Sequence, residues 1–146
     1  MAWKPAEKKV FHTFIEEANR FYEVQAKNGV NLEGTFEIQE EIFFKNNLLS
    51  ALQAFERGEL PKYSADEFQK SEAAEQTAYL RTQTGPETKW GTITRESVRK
   101  SQNEWLRYRK AWIAFGRQKY PSVTEQSWKT WLDQDRTVMF NRFLPR

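Results

Sequence analysis

His12 is the only histidine of the chain, and there is no cysteine. The lack of cysteine excludes disulfides, thiolate zinc sites, iron–sulfur clusters and cysteine nucleophiles. A Ser–His–Asp relay would have to use His12, and a single histidine cannot form a multi-histidine metal site within one chain. No catalytic motif accompanies His12, so we interpret it as a solvated or hydrogen-bonded side chain and expect no metal ion.

Paired carboxylates are the remaining acid–base candidates. Glu16–Glu17 and Glu40–Glu41 are adjacent in the sequence, and adjacent residues on a helix point about 100° apart, so neither pair is a ready acid–base couple. A solvated acidic face is the simpler interpretation. The chain also lacks phosphate-binding and dinucleotide-binding motifs. We therefore predict a protein that is not an enzyme and takes no cofactor, and we keep a hydrolase that uses carboxylates alone as a third alternative.

Positive charge is concentrated in one segment. Residues 1–88 carry 10 Lys/Arg and 15 Asp/Glu, whereas residues 89–120 carry 9 and 2. A basic helix with aromatic residues is one signature of nucleic-acid binding, which is the alternative function. The simpler interpretation is a solvated face plus an inward Arg109 that pairs with a carboxylate of the acidic half. The basic residues of this helix are Arg95, Arg99, Lys100, Arg107, Arg109, Lys110, Arg117 and Lys119.

Helical spacing of apolar residues extends over nearly the whole chain. We predict one all-α domain over residues 1–146, a bundle of about five helices joined by short loops. Ser64–Glu67 and Ser122–Glu125 match capping boxes at the starts of the third and fifth helices. The third helix has the weakest apolar stripe, so we expect it to be the most exposed. The predicted ranges are about 5–28, 35–57, 64–83, 94–119 and 122–143.

The fourth helix has the most regular apolar stripe, in which Ser101 is the one polar member. With 15% aromatic residues in the chain, this stripe predicts an aromatic-rich core. Mean hydropathy is −0.87, and no apolar run approaches the roughly 18 residues of a membrane helix, so we expect no membrane insertion. The stripe consists of Val98, Ser101, Trp105, Tyr108, Trp112 and Phe115.

The fourth helix also carries a motif that resembles a known family. Gln102, Trp105, Tyr108 and Arg109 form the pattern Gln-x-x-Trp-x-x-Tyr-Arg, which resembles the signature of the LprI-like family of lysozyme inhibitors. The resemblance extends over about residues 64–143 and marks a scaffold, because we interpret the signature residues as mainly structural. Trp112 stands where this family commonly has a cysteine, so a family disulfide is absent.

The resemblance implies a small periplasmic protein that binds and blocks a peptidoglycan-degrading enzyme. One version is a lysozyme inhibitor, and the other is an immunity protein against a cell-wall amidase delivered by type VI secretion. The additional N-terminal helices favour the second version slightly. The start of this chain, Met1 to Lys4, lacks the apolar region of a signal peptide, so a periplasmic location implies that the signal has been removed.

An inhibitor needs a rigid body and a projecting element that fills a cleft. The candidate projections are the loops at 28–34, 57–64 and 84–92. We interpret Trp90 as the anchor, because tryptophan is enriched among interface hot spots, and its packing onto the bundle is the alternative. The oppositely charged parts of the chain also permit a homodimer. The other candidate partner-binding residues are Asn31, Glu33, Tyr63, Glu87 and Lys89.

Overall fold

A computed structural model of the chain describes residues 3–30, 37–84 and 92–142. Within these ranges the chain forms five helices and no strand, which confirms the predicted all-α, single-domain bundle. None of the helices found there is both long enough and apolar enough to span a membrane. The helices are α1 (Pro5–Asn28), α2 (Glu37–Glu56), α3 (Ala65–Thr84), α4 (Arg95–Lys119) and α5 (Glu125–Asn141).

The capping residues explain where two of the helices begin. At the start of α3, the Glu67 backbone N–H donates to Ser64 Oγ at 3.1 Å and the Ser64 N–H donates to Glu67 Oε1 at 3.0 Å, which confirms the first capping box. The second capping box is wrong, because α5 is capped by Thr124, whose Oγ1 accepts the Ser127 N–H at 3.0 Å. Thr124 takes this position because Ser122 still belongs to the turn that precedes it.

An aromatic core lies where α1, α4 and α5 meet. Phe14 of α1 stacks on Phe115 of α4 with ring centroids 5.2 Å apart, and Trp112 stacks on Trp128 of α5 at 5.1 Å. Helices α4 and α5 approach closely at Gly116, where a Cβ atom would lie 2.5 Å from the Trp128 ring. The regular stripe of α4 therefore packs against two other helices through its aromatic members.

α3 has the largest share of exposed residues among the five helices, as predicted, whereas α2 has the larger exposed apolar surface. α3 packs along α5 and buries Ser71, Glu75, Ala78 and Thr82, a small and polar face that hydropathy does not detect. In α2 only Phe44 and Phe55 are buried. Its apolar residues point in several directions around the helix, so part of them remain in solvent. The exposed members, which we call the α2 apolar surface, are Ile38, Ile42, Phe43 and Leu49.

Candidate functional site

The four signature residues of α4 each contact another helix. Gln102, Trp105 and Tyr108 are buried, whereas Arg109 is partly exposed. Gln102 Nε2 donates to Glu75 Oε1 of α3 at 2.8 Å. The Tyr108 hydroxyl accepts the Trp112 Nε1–H at 2.9 Å and lies 3.3 Å from the Tyr22 hydroxyl of α1. The described surroundings of these residues are therefore those of a packing centre.

A fully buried arginine of α5, Arg136, forms the centre of this packing. Its Nε donates to Gln102 Oε1, its Nη1 to Gln25 Oε1 and its Nη2 to Ser101 Oγ, each at 2.9 Å. The guanidinium also lies 4.3 Å from the centroid of the Phe140 ring. Burial lowers the pKa of Arg136 to about 9, so the side chain is still charged at neutral pH.

Sequence reasoning did not identify Arg136, although Ser101 carried a signal for it. A serine in an otherwise aromatic stripe is a buried hydroxyl that requires a hydrogen-bond partner. Ser101 Oγ accepts from Arg136 Nη2 and donates to the Val98 carbonyl at 3.1 Å. The interruption of the stripe therefore marked the position at which a polar group of another helix enters the core.

Arg109 pairs inward, as predicted, but with a different carboxylate. Its Nη2 lies 3.1 Å from Asp133 Oδ1 and 3.2 Å from Oδ2, so the partner belongs to α5 and not to the acidic half of the chain. The short connection between α4 and α5 returns the chain so that Asp133 faces Arg109. Burial raises the pKa of Asp133 to about 6, although the Arg109 charge opposes that increase.

Much of the basic charge of α4 is neutralised within the molecule. Besides Arg109, ion pairs form between Arg107 and Glu104 at 3.5 Å, between Arg117 and Glu125 at 3.2 Å, and between Lys119 and both Glu56 at 3.6 Å and Glu7 at 3.9 Å. The stripe aromatics Trp105, Tyr108, Trp112 and Phe115 are buried and cannot stack on bases. These contacts support the simpler interpretation of the basic segment.

The titratable residues that the sequence singled out lie partly in solvent and partly in contacts between helices. His12 and Glu16 are exposed. Glu17 lies beside Glu104 of α4, and the pKa of Glu104 is raised by burial and by this neighbouring carboxylate. Such contact leaves less space than the roughly 5 Å or more between the two carboxyl groups of glycosidases. Across the described ranges, no three His, Cys, Asp or Glu residues are grouped so that they could hold a metal ion.

A cavity of about 290 Å³ lies between α2 and α5. Its inner end is formed by the buried Tyr22 and Tyr108, and its outer end by the exposed Phe43 and Val138. Asp135 of α5 and Arg142, which directly follows α5, contribute the charged groups of the lining, and Arg142 lies 3.7 Å from Glu40 of α2. The aromatic part of the lining consists of Tyr22, Phe43, Phe44, Tyr108 and Trp131.

Of the predicted partner-binding residues, Tyr63 is the one whose surroundings are described. It is half-buried in the connection between α2 and α3, and its backbone N–H donates to Ser127 Oγ at 3.1 Å, which ties this connection to the start of α5. It does not line the cavity. The predicted anchor Trp90 and the other four, Asn31, Glu33, Glu87 and Lys89, lie outside the described residues.

Compared with protein-family models, curated proteins and solved structures, the chain matches none of them. A function is therefore inferred from the residues of this chain and their geometry.

Proposed function

We propose that this protein is a periplasmic, non-enzymatic inhibitor that binds and blocks a peptidoglycan-degrading enzyme. The target is a type VI secretion amidase, for which the protein would act as an immunity protein, or a lysozyme. The proposal is supported by the resemblance of Gln102, Trp105, Tyr108 and Arg109 to the LprI-like signature.

The observation that carries a binding role is the α2 apolar surface. Ile38 is 65% exposed, Leu49 is 55% exposed, and Ile42 and Phe43 are each 52% exposed. Large apolar side chains that gather on one surface helix are typical of protein–protein contact, because water is released when a partner covers them. We therefore propose that α2 contacts the target enzyme.

The rest of the molecule has the properties of a rigid scaffold. The rings of Phe14, Trp112, Phe115 and Trp128 interlock between three helices, and Arg136 joins α1, α4 and α5 through hydrogen bonds. A body that is ordered before binding loses little conformational entropy when the complex forms, which favours tight inhibition. This supports blocking by shape complementarity.

Acidic residues near the α2 apolar surface would attract a cationic enzyme. Glu37 and Glu41 belong to the same helix as Ile38 and Ile42, whereas the charge of Glu40 is compensated by Arg142. Such charges mainly accelerate encounter, and their effect weakens as salt concentration rises. We expect the association rate with lysozyme to fall with added salt, whereas the dissociation rate changes little.

The test is titration of a panel of lysozymes and cell-wall amidases with the purified chain, with residual activity and binding both measured. We expect stoichiometric inhibition of at least one enzyme. Ile42→Asp should weaken binding by about tenfold or more, since it places a charge in the contact. The matched control is Leu106→Asp, because Leu106 is 49% exposed on α4 and should tolerate the charge.

Two results would contradict the proposal. The first is that an equimolar amount of the protein slows none of the enzymes. The second is that Ile42→Asp and Leu106→Asp inhibit equally well while Ile42→Asp abolishes self-association in sedimentation, because α2 would then be a homodimer contact. A salt-dependent mobility shift with random DNA would support the nucleic-acid alternative, and cell fractionation tests the periplasmic location.

A further inference from the structure

We propose that the cavity between α2 and α5 is a binding site for a small organic cation, a primary ammonium carried on an apolar or aromatic group. This site overlaps little with the proposed enzyme contact. Of the four residues of the α2 apolar surface, Phe43 alone also lines the cavity.

The first reason is the state of Asp135. Among the described residues, no side chain donates a hydrogen bond to its carboxylate or forms an ion pair with it, although it lies next to Met139, Trp131 and Tyr22 in the cavity lining. Asp135 is exposed, so its carboxylate is accessible to a ligand that enters the cavity. The protein around the carboxylate still raises its pKa through desolvation, although the side chain is in contact with solvent. A bound ammonium group would supply the absent partner.

The neighbouring Arg136 does not act as that partner. All three of its donor nitrogens are engaged by Gln25, Ser101 and Gln102 in the core. Its charge acts on Asp135 only through space, where it partly opposes the raised pKa. The carboxylate therefore remains available to a ligand that enters from the cavity.

The second reason is the aromatic lining. Ammonium groups bind to the faces of aromatic rings, because the ring quadrupole is negative there. Tyr22 and Phe44 stack at 5.6 Å and form one continuous wall. The guanidinium of Arg142 already lies 5.9 Å from the Phe43 ring centroid, so this lining is compatible with a nearby cation. The hydroxyl oxygens of Tyr22 and Tyr108 add acceptors for N–H groups at the inner end.

The third reason is the charge balance around the cavity. The charged groups of the lining are Asp135 of α5 and Arg142, which directly follows α5 and lies 3.7 Å from Glu40 of α2. Tyr22 of α1 and Tyr108 of α4 are neutral, because burial raises their pKa values above the ordinary range. Since Arg142 and Glu40 compensate one another, Asp135 leaves the cavity with an excess negative charge that selects a cation.

The size of the cavity selects a small ligand. A volume of about 290 Å³ lies near the lower end of ligand pockets, which extend from about 300 to 1,000 Å³. We therefore choose 2-phenylethylammonium as the probe, with 2-phenylethanol as its neutral analogue and 3-phenylpropionate as its anionic one. The three share a ring and a short chain, and they differ in the charge that would meet Asp135.

The experiment is calorimetric titration of the full chain with each probe at pH 7.5. We expect the ammonium probe to bind at least about tenfold more tightly than the alcohol, and the carboxylate not to bind. Asp135→Asn should remove this preference, because the amide keeps the shape of the side chain and loses its charge. The matched control, Asp66→Asn, changes an exposed aspartate of α3 that pairs with Lys70 at 3.0 Å, and it should bind as the wild type does.

Two further measurements keep the test decisive if Asp135→Asn folds poorly. The fluorescence of Trp131 should change on titration of the wild-type chain, because its ring lines the cavity. Val138→Trp should fill the outer end of the cavity and abolish binding, since Val138 is exposed and its replacement need not disturb the core. The proposal is overturned if the alcohol binds as tightly as the ammonium, if a folded Asp135→Asn binds unchanged, or if no probe gives saturable binding.

Discussion

Replacement of Arg136 by methionine removes the group that joins three helices in the core. The guanidinium donates to Gln25 Oε1, Ser101 Oγ and Gln102 Oε1, each at 2.9 Å, and none of these buried acceptors can reach water easily. Hydrogen bonds to charged groups contribute about 1.5–3 kcal/mol each. The loss is partly offset, because the buried charge whose pKa has fallen to about 9 no longer has to be desolvated.

We expect Arg136→Met to lower the free energy of unfolding by about 3 kcal/mol, because the saved desolvation offsets part of the three lost hydrogen bonds. For 146 residues the total is about 7–22 kcal/mol, so the variant should still fold. The assay is urea unfolding followed by tryptophan fluorescence and circular dichroism. With a slope of about 2 kcal/mol per molar, the midpoint should fall by about 1.5 M.

A matched control and a combined variant separate this explanation from a general loss of charge. Arg117→Met removes an exposed arginine that pairs with Glu125 at 3.2 Å, and it should cost less than about 1 kcal/mol. Combining Arg136→Met with Gln25→Leu, Ser101→Ala and Gln102→Leu should cost less than the four single changes added together, because no acceptor remains unsatisfied. Equal costs for Arg136→Met and Arg117→Met, or strict additivity in the combined variant, would refute the reasoning.

Three further predictions concern the pH dependence of stability, the close approach of α4 and α5, and the helix caps. The free energy of unfolding should fall by about 1 kcal/mol or more from pH 5 to pH 7.5. The reason is that the pKa of Asp133 rises from 3.8 to about 6 on folding, so between these two values the folded chain keeps a proton that the unfolded chain has lost. Urea midpoints measured across that range give the change of stability with pH. Asp133→Asn should reduce this change, and a stability that increases with pH would contradict the assignment. Gly116→Ala should cost about 1–3 kcal/mol, because its Cβ would lie 2.5 Å from the Trp128 ring. A glycine-to-alanine change inside a helix ordinarily stabilises the protein, so an increased stability of Gly116→Ala would contradict the close contact. Ser64→Ala should lower the melting temperature through a loss of about 1 kcal/mol, whereas Ser122→Ala should have no effect, and equal effects would contradict the assignment of the caps.

The helices themselves could be predicted from the sequence because their signals are local. Pro5, the Ser64–Glu67 box and Gly58, which has a φ of 88° after α2, each act within one turn of a helix end. The start of α5 was misplaced for a related reason. Thr124 and Ser122 are both good capping residues, and the choice between them depends on the turn in which Val123 N–H donates to the Tyr120 carbonyl at 3.0 Å.

The polar core could not be predicted, because its members are far apart in the sequence. Arg136 meets Gln25 across 111 residues and Ser101 across 35, and neither contact leaves a periodic pattern. The periodic spacing of apolar residues indicates which face of a helix is buried, and it predicts that polar residues such as Arg136 are solvated. The same reason explains why the buried polar face of α3 was not predicted, since Glu75 accepts its hydrogen bond from Gln102 of α4. The cavity is equally hidden, since it requires a gap between α2 and α5 that no local sequence encodes.

The contacts of the signature residues also indicate where binding specificity has to be sought. Gln102 joins α4 to α3 and α5, Arg109 joins it to α5, and Tyr108 joins it to α1. A substitution of Gln102, Tyr108 or Arg109 would change the stability of the helix bundle more directly than it would change a binding surface. A loss of binding in such a variant would therefore say little about the partner. The α2 apolar surface and the charge of Asp135 can be altered without breaking any described contact between α4 and its neighbours, and they are the positions at which binding of an enzyme and binding of a cation can be separated from folding.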